Sequence, residues 1–205
     1  METVMIKNVI FDLGAVLFEW NPEQIVASFT DSESERQLLF DHVLRHPDWL
    51  SLDRGTMLMA EAIPKFAART GVSESRMEDF FEHIQSTLTI IPETELLIDQ
   101  VQSCGYSAYF LTNMSSAFFE KLNEKHNLYG WFDGGLVSGK ELMIKPEPDI
   151  FSNLVMRFAI APEESLFIDD QSVNVEAAHA LGFQVHQFEE PSESCTKIRN
   201  LLKIN

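Results

Sequence analysis

The clearest strand pattern in this chain lies in Asn8-Val9-Ile10-Phe11-Asp12-Leu13-Gly14-Ala15-Val16. Its β-branched and aromatic residues form a short apolar run, which is typical of a strand buried on both faces of a parallel sheet. The run ends at the carboxylate of Asp12, and Gly14 then permits a turn that other residues resist. Open α/β sheets bind ligands at the carboxyl ends of their strands, so Asp12 is a candidate functional residue. Taken alone, the same pattern fits an aspartate that forms a turn or caps a helix.

Length and charge limit the functions open to the chain. Its 205 residues can form one sizeable core, or a core with a smaller insertion. A formal net charge of -17 argues against nucleic-acid and anionic-membrane partners, because the field of the protein would repel their phosphates. A small phosphate can still bind where a local cation or a nest of N–H groups offsets that charge.

The amino terminus and the cysteines indicate the compartment. We find no signal-type apolar segment and no run long enough to span a membrane, so a cytoplasmic protein is expected. Cys104 and Cys195 lack a metal-binding spacing, and we expect both to be free thiols in a reducing environment. A monomer or a weak homodimer is expected.

A block of helices separates the first strand from the rest of the predicted sheet. Between residues 22 and 88 the apolar residues recur at helical spacing, which predicts about four helices and no strand. Strands and helices then alternate, with strands predicted at 106–111, 132–137, 165–168 and 183–188; residues 140–144 fit either a loop or a strand. Alternation predicts a parallel sheet with helices on both faces. The expected fold is therefore α/β: a doubly wound, Rossmann-like core (1–17 and 91–205) with an inserted all-α helical cap (18–90).

Short polar motifs follow the predicted strands of the core. In chain order they are Asp12, Thr112-Asn113, Lys145-Pro146 and Asp169-Asp170. This ordered set resembles the haloacid dehalogenase (HAD) superfamily of hydrolases, most of which are phosphatases. The resemblance covers nearly the whole chain, because the helical insertion after the first strand is similar to the small C1-type cap of that superfamily.

Longer strings around these motifs look most like the subfamily that contains glucose-1-phosphate phosphatases. They are Phe11-Asp12-Leu13-Gly14-Ala15-Val16, Leu111-Thr112-Asn113, Lys145-Pro146-Glu147-Pro148-Asp149-Ile150-Phe151 and Phe167-Ile168-Asp169-Asp170. The resemblance implies that Asp12 is a nucleophile and forms an aspartyl-phosphate that water hydrolyses. It implies that the Thr112 hydroxyl, the Asn113 backbone N–H and the Lys145 ammonium bind the phosphoryl group. Asp12, Thr112 and Lys145 are thus the predicted catalytic residues.

The resemblance also implies a magnesium ion as cofactor. Asp12, the backbone carbonyl of Gly14 and Asp170 match the metal positions of the family, and Asp169 is a direct or water-mediated neighbour. Mg²⁺ prefers oxygen ligands and offsets the charge of a carboxylate that attacks a phosphate. Converging carboxylates would repel one another without a cation, so their convergence favours a metal. On their own, Asp169-Asp170 also fit a turn-and-cap pair, and Lys145 also fits a solvated lysine.

One position departs from the pattern of the family. Most phosphatases of this superfamily carry a second aspartate two residues after the nucleophile, where it protonates the leaving oxygen. Here that position is Gly14. We therefore hypothesise a substrate with a better leaving group, such as an anomeric sugar oxygen, an acyl oxygen or a phenol. The predicted function is a Mg²⁺-dependent phosphatase for a small phosphorylated metabolite, with a sugar 1-phosphate as one candidate.

Other functions remain open at the level of the sequence. A 2-haloacid dehalogenase would use Asp12 to attack carbon, and it needs neither a metal nor a leaving-group acid. A non-catalytic HAD-like scaffold that binds a phosphometabolite or a protein would not need that acid either. A phosphomutase ranks lowest, because mutases depend on the acid that is missing.

Three cap residues are candidates for substrate contact. The motif Asp53-Arg54-Gly55 falls in a cap loop, and in the family such loops face the pocket. Arg54 is therefore a candidate ligand for a sugar or a second anion, with an exposed turn as the alternative. Trp20 and Trp49 either line the pocket or anchor the cap.

Overall fold

The computed structural model describes residues 5–204. The two ends of the predicted core, residues 1–4 and 205, lie outside this range. The described chain contains five strands: β1 (Asn8–Phe11), β2 (Ser107–Thr112), β3 (Gly134–Val137), β4 (Ser165–Asp169) and β5 (Gln184–Gln187). They form one parallel sheet in the order β3-β2-β1-β4-β5. The predicted parallel sheet is confirmed, and each strand lies within two residues of its expected bounds.

The central position of β1 explains its continuous apolar run. Val9 and Phe11 belong to the hydrophobic cluster on one face of the sheet, and Ile10 belongs to the cluster on the other face. All three side chains are fully buried. Because helices cover both faces, no side chain of β1 needs to be polar until the strand ends.

The insertion between β1 and β2 is helical, and we call residues 18–90 the cap. Its helices are α1 (Pro22–Phe29), α2 (Glu33–Leu39), α3 (Pro47–Arg54), α4 (Met59–Thr70) and α5 (Glu74–Thr87), and a π-helical turn (Phe40–Leu44) follows α2. The chain leaves and re-enters the core side by side, because Phe18 pairs with Ile90 in an isolated antiparallel bridge. The division of the chain into core and cap at residues 18 and 90 stays a prediction.

The remaining helices belong to the core. They are α6 (Pro92–Ser103), α7 (Ser116–His126), α8 (Leu128–Trp131), α9 (Ser138–Glu141), α10 (Pro148–Phe158), α11 (Ser172–Ala180) and α12 (Pro191–Leu202). The segment 140–144 is neither simply loop nor strand, since α9 extends through Glu141. Leu142 then ends this short helix in a left-handed conformation, with φ of 58°.

The cap packs on the core through aromatic side chains. Trp49 of α3 and Phe81 of α5 contact Phe118 of α7, with ring centroids 6.0 and 5.9 Å apart. These residues belong to the same hydrophobic cluster as Val9 and Phe11 of the sheet. The cap is therefore held close to the edge of the sheet at which the strands end.

Candidate active site

Three charged side chains meet beyond the carboxyl ends of β1 and β4. The Lys145 Nζ lies 3.0 Å from Asp12 Oδ2 and 2.6 Å from Asp169 Oδ2, and it donates a 2.8 Å hydrogen bond to the Leu111 carbonyl. Lys145 is 3% exposed, Asp12 7% and Asp169 fully buried. The structure thus brings together residues that lie up to 157 positions apart in the chain, because parallel strands end at a common edge.

A group of three carboxylates could hold a metal ion at this edge. One oxygen from each of Asp12, Asp169 and Asp170 lies within 4.8 Å of the others. Asp169 also accepts hydrogen bonds from the Gln171 backbone N–H at 2.9 Å and from Asn174 Nδ2 at 3.0 Å. These hydrogen bonds fix the Asp169 carboxylate in place. Asp170 is partly exposed, so its oxygens are more accessible to a metal ion. An all-oxygen donor set of this kind suits Mg²⁺.

The electrostatics show an excess of negative charge. The pKa of Asp12 is raised to about 7, chiefly by burial and also by the charges of Asp169 and Asp170, while Lys145 acts to lower it. Burial and the charge of Asp169 likewise raise the pKa of Asp170. Burial alone would lower the pKa of Lys145, but Asp12 and Asp169 outweigh it and raise that pKa. One buried ammonium thus faces three carboxylates, and a divalent cation would restore the balance.

The loop after β2 carries the predicted phosphate ligands. Thr112 ends β2 and is 1% exposed. The Asn113 side chain holds the Lys145 backbone, since Oδ1 accepts from the Lys145 N–H and Nδ2 donates to the Lys145 carbonyl, both at 2.9 Å. The Asn113 side chain therefore positions the lysine, which leaves phosphate binding to its backbone, as the sequence predicts.

Arg54 is paired across the boundary between the cap and the core. Its guanidinium makes a bidentate ion pair with Glu147, at 2.7 and 2.5 Å, at the start of α10. This pair occupies the Arg54 head group, so the contact of Arg54 with a substrate stays a prediction.

Asp53, next to Arg54, is a functional candidate that the sequence reasoning missed. It is half-buried, and burial raises the pKa of its carboxyl to about 8. Hydrogen bonding from the Ser115 backbone and the Trp49 side chain offsets this in part, while the charge of Asp12 adds to it. The sequence does contain a clue to Asp53. Because Gly14 replaces the usual second aspartate, a carboxyl group from another element could take over its role.

A comparison with protein families identifies the family of this chain. The model of the haloacid dehalogenase-like hydrolase family matches residues 55–188, about two thirds of the chain. The chain belongs to this family. The predicted superfamily and the α/β fold class with a helical insertion are confirmed.

Two curated relatives of this HAD-like chain are phosphatases. A sesquiterpene phosphatase of Aspergillus oryzae is 26% identical over 198 residues, which cover 96% of each chain. A D-ribitol-5-phosphate phosphatase of Bacteroides thetaiotaomicron is 25% identical and covers 92% of this chain and 95% of its own. These relatives confirm the coarser functional prediction, a hydrolase of the HAD family that acts on phosphate esters.

Solved structures support the same assignment. A predicted HAD-like family hydrolase from Porphyromonas gingivalis superimposes with a TM-score of 0.79 at 25% identity, over 98% of this chain and all of that one. A HAD family enzyme of Bacteroides thetaiotaomicron in complex with magnesium and inorganic phosphate has a TM-score of 0.72 at 25% identity, over 90% and 94% of the two chains. With the three converging carboxylates, this relative confirms the magnesium prediction. In the described residues, no helix combines the length and the hydropathy of a membrane span.

Proposed function

We propose that this HAD-like hydrolase is a Mg²⁺-dependent phosphatase that cleaves a small phosphorylated metabolite through an aspartyl-phosphate on Asp12. The observation that carries the proposal is the meeting of Asp12, Lys145 and the pair Asp169-Asp170 at one edge of the sheet. A phosphatase of this type needs a carboxylate nucleophile and positive charge for the transferring group, and these residues supply both.

The donor set fits a magnesium ion. Asp12, Asp170 and the backbone carbonyl of Gly14 would hold it, with Asp169 as a neighbour that also orients Lys145. When bound, the ion would neutralise charge that develops on the phosphoryl oxygens. Burial and the charges of neighbouring carboxylates raise the pKa values of Asp12 and Asp170, and a bound cation would lower both.

Residues of the chain perform the remaining steps. The Asp12 carboxylate attacks phosphorus, and Lys145 keeps Asp12 ionised by lowering its pKa. The Thr112 hydroxyl, the Asn113 N–H and the Lys145 ammonium bind the phosphoryl oxygens, which carry more charge in the transition state. Water then attacks the aspartyl-phosphate and releases inorganic phosphate.

The proposed substrate class is a small phosphorylated metabolite, with a sugar 1-phosphate first among the candidates. The resemblance to glucose-1-phosphate phosphatases supports it, and the phosphatases that match the chain act on a sugar alcohol phosphate and on sesquiterpene phosphates by their names. A cleft of about 470 Å³ in the cap is lined by residues such as Trp20, Phe40 and Arg45 and by none of the predicted catalytic residues, so it does not define the substrate.

Turnover of a phosphate panel with and without metal tests the proposal. Glucose 1-phosphate, ribitol 5-phosphate, farnesyl phosphate, glycerol phosphate and 2-chloropropionate would be assayed in Mg²⁺ and in EDTA. We expect phosphate release that requires Mg²⁺ and disappears in Asp12→Asn, whose side chain has nearly the same shape and cannot form an acyl phosphate. Glu124→Gln, an exposed change in α7, is the matched control and is expected to keep wild-type turnover.

Two results would contradict the proposal. Halide release from 2-chloropropionate without metal would make the chain a dehalogenase, the alternative in which Asp169-Asp170 has no role. Full turnover by a folded Asp12→Asn protein would remove the nucleophile assignment.

A further inference from the structure

The six residues that follow Asp12, from Leu13 to Phe18, have no side chain that could protonate a leaving group. Gly14 occupies the position at which most phosphatases of the family carry an aspartate. Expulsion of an alkoxide is slow without a proton donor, and general acid catalysis contributes about 10²–10⁴-fold. A proton donor must therefore come from another element, or the substrate must not need one.

The last turn of α3 is held against the core beside the phosphate loop. The Ser138 hydroxyl donates to the Asp53 carbonyl and accepts a 2.9 Å hydrogen bond from the Met114 N–H. Gly55 adopts a left-handed φ of 83°, and a Cβ on it would overlap the carbonyl oxygen of Gly139. The backbone at Asp53 is thus held in place relative to the loop that carries Thr112.

Asp53 lies at the end of α3, beside the loop that follows β2. Its carboxyl is hydrogen-bonded by the Ser115 backbone of that loop and by the Trp49 side chain, and the charge of Asp12 raises its pKa. Trp49 stacks on Trp20, with ring centroids 5.9 Å apart. The Trp20 Cβ in turn lies 4.0 Å from the point that a Cβ of Gly14 would occupy. Trp20 therefore borders the space that a second aspartate at Gly14 would use, and its stacking on Trp49 connects that space to α3, which carries Asp53.

We propose that Asp53 of the cap is the general acid that Gly14 cannot provide. This inference rests on the proposed phosphatase function. As the Asp12 oxygen bonds to phosphorus, the bond from phosphorus to the leaving oxygen breaks. The electron pair of that bond stays on the leaving oxygen, which takes the Asp53 carboxyl proton and departs as an alcohol. The Asp53 carboxylate then accepts a proton from the water that attacks the aspartyl-phosphate, which releases phosphate and restores Asp12 and Asp53.

Two further properties agree with this role. With its pKa raised to about 8 by burial, Asp53 carries a proton near neutral pH, as a general acid must before reaction. Among the described residues, Asp12 is the charged group that raises the pKa of Asp53, and neighbouring Arg54 is engaged by Glu147. An enzyme with this acid can expel an ordinary alkoxide, so the restriction to good leaving groups that Gly14 implies no longer holds.

The inference is tested by comparing two leaving groups in Asp53→Asn. Glycerol phosphate needs protonation of its leaving oxygen, and p-nitrophenyl phosphate does not. We expect kcat/KM for glycerol phosphate to fall about 10²–10⁴-fold, and that for p-nitrophenyl phosphate to fall by about tenfold or less. Turnover of the aryl ester also shows that the variant is folded. Asp41→Asn, which removes an exposed carboxyl elsewhere in the cap, is the matched control and should change neither rate.

Equal losses on both substrates, or no loss on glycerol phosphate, would overturn the inference and leave the phosphatase proposal intact. The wild type provides a test that no folding defect can obscure: across a series of alkyl and aryl phosphates, its rate should depend weakly on the leaving-group pKa. A steep dependence would mean that no acid acts, and it would overturn the role of Asp53. Absence of all phosphate turnover in the wild type would instead overturn the proposed function, and the inference with it.

A second variant tests whether an aspartate at position 14 can replace Asp53 as the general acid. Gly14 lies outside the left-handed region, and a Cβ on it would meet only Trp20, at an ordinary contact distance. An aspartate is therefore sterically acceptable at this position. We expect Gly14→Asp combined with Asp53→Asn to recover at least about tenfold of the lost activity on glycerol phosphate. If the double variant folds but recovers no activity on glycerol phosphate, an aspartate at position 14 cannot replace Asp53.

Discussion

Lys145 shows at the scale of a residue how this acidic protein can accept a phosphate. The lysine is buried between Asp12 and Asp169, and its backbone is clamped by the Asn113 side chain. Burial of an ammonium group is costly unless carboxylates and hydrogen-bond acceptors surround it. Lys145 meets that condition with two carboxylates and the Leu111 carbonyl. The same arrangement keeps the ammonium fixed before substrate arrives, which is what electrostatic stabilisation of a transition state requires.

Replacement of Lys145 should therefore affect both stability and turnover. Lys145→Met keeps the length of the side chain and leaves buried carboxylates without a cation, so we expect a loss of about 3–5 kcal/mol in the free energy of unfolding. Phosphatase activity should fall by at least about 10²-fold. Urea denaturation in EDTA and steady-state kinetics in Mg²⁺ measure the two effects.

Lys140→Met is the matched control for that prediction. Lys140 also pairs with a carboxylate, Glu120 at 2.5 Å, but the two side chains are 30% and 51% exposed. Exposed pairs contribute about 0–1 kcal/mol, so the control should be nearly as stable as the wild type. Equal effects of the two substitutions would show that Lys145 is not held as a buried ion.

The end of α3 is the element that joins the cap to the catalytic edge. Helix α3 stops at Arg54 because Gly55 takes a left-handed conformation, and the missing Cβ lets the turn approach Gly139 of α9. A Cβ on Gly139 would in turn meet the backbone of Met114 and Ser116. Glycine at positions 55 and 139 therefore sets how closely α3, α9 and the loop after β2 can pack, and hence the height of Asp53 above the site.

Alanine at Gly55 should disturb this packing more than its backbone conformation alone requires. Gly71 supplies a matched control, since it also has a left-handed φ, of 73°, but no atom lies within 4 Å of its would-be Cβ. We expect Gly71→Ala to cost about 1 kcal/mol, and Gly55→Ala to cost more and to reduce glycerol phosphate turnover as well. Thermal denaturation and kinetics on both variants decide this. Equal losses of stability with unchanged turnover would show that α3 tolerates a wider spacing.

At the scale of the whole molecule, the reacting groups are buried. Asp12, Lys145 and Asp169 are all less than a tenth exposed, so we expect the cap to move when a substrate binds. The segments near Phe18 and Ile90, paired by a single bridge, are the expected hinges. Arg54 of the cap and Glu147 of the core form an ion pair between the two parts. Closure would exclude water and bring Asp53 to the leaving group, so binding and proton delivery would be coupled.

The Arg54–Glu147 pair should act as a latch of modest strength. Both side chains are about one third to one half exposed, and such pairs contribute about 0.2–1 kcal/mol. We expect Arg54→Met to lower kcat/KM by only about 2–5-fold, and Glu147→Gln to have the same effect. Arg157→Met, which breaks a similar bidentate pair with Glu141 inside the core, should leave kcat/KM unchanged.

Steady-state kinetics on these three variants separate a latch from a ligand. If Arg54 binds the phosphate or the organic part of the substrate, as the sequence predicts, Arg54→Met should be much more harmful than Glu147→Gln. A large difference between the two would contradict the latch, and equal small effects would contradict the role as a ligand.

The fold and most of the catalytic edge could be predicted from local sequence. Strand β1 is apolar because it is buried on both faces, and its polar end marks the edge at which a ligand binds. The resemblance to the HAD superfamily predicts roles for Thr112, Lys145 and the pair Asp169-Asp170, and of these Thr112 and the aspartate pair lie at strand ends. Residues whose roles depend on strand position are therefore readable without a structure.

The contribution of the cap depended on tertiary structure. Asp53 and Arg54 are adjacent in the chain, yet the Asp53 carboxyl is hydrogen-bonded by the Ser115 backbone and Arg54 pairs with Glu147. Helix periodicity separates neighbouring side chains by about 100°, and only the packing of α3 on α9 determines which of the two faces the site. Backbone pattern determined the sheet and its catalytic edge, whereas the contact between two separately built parts decided which cap side chain could reach the reacting atoms.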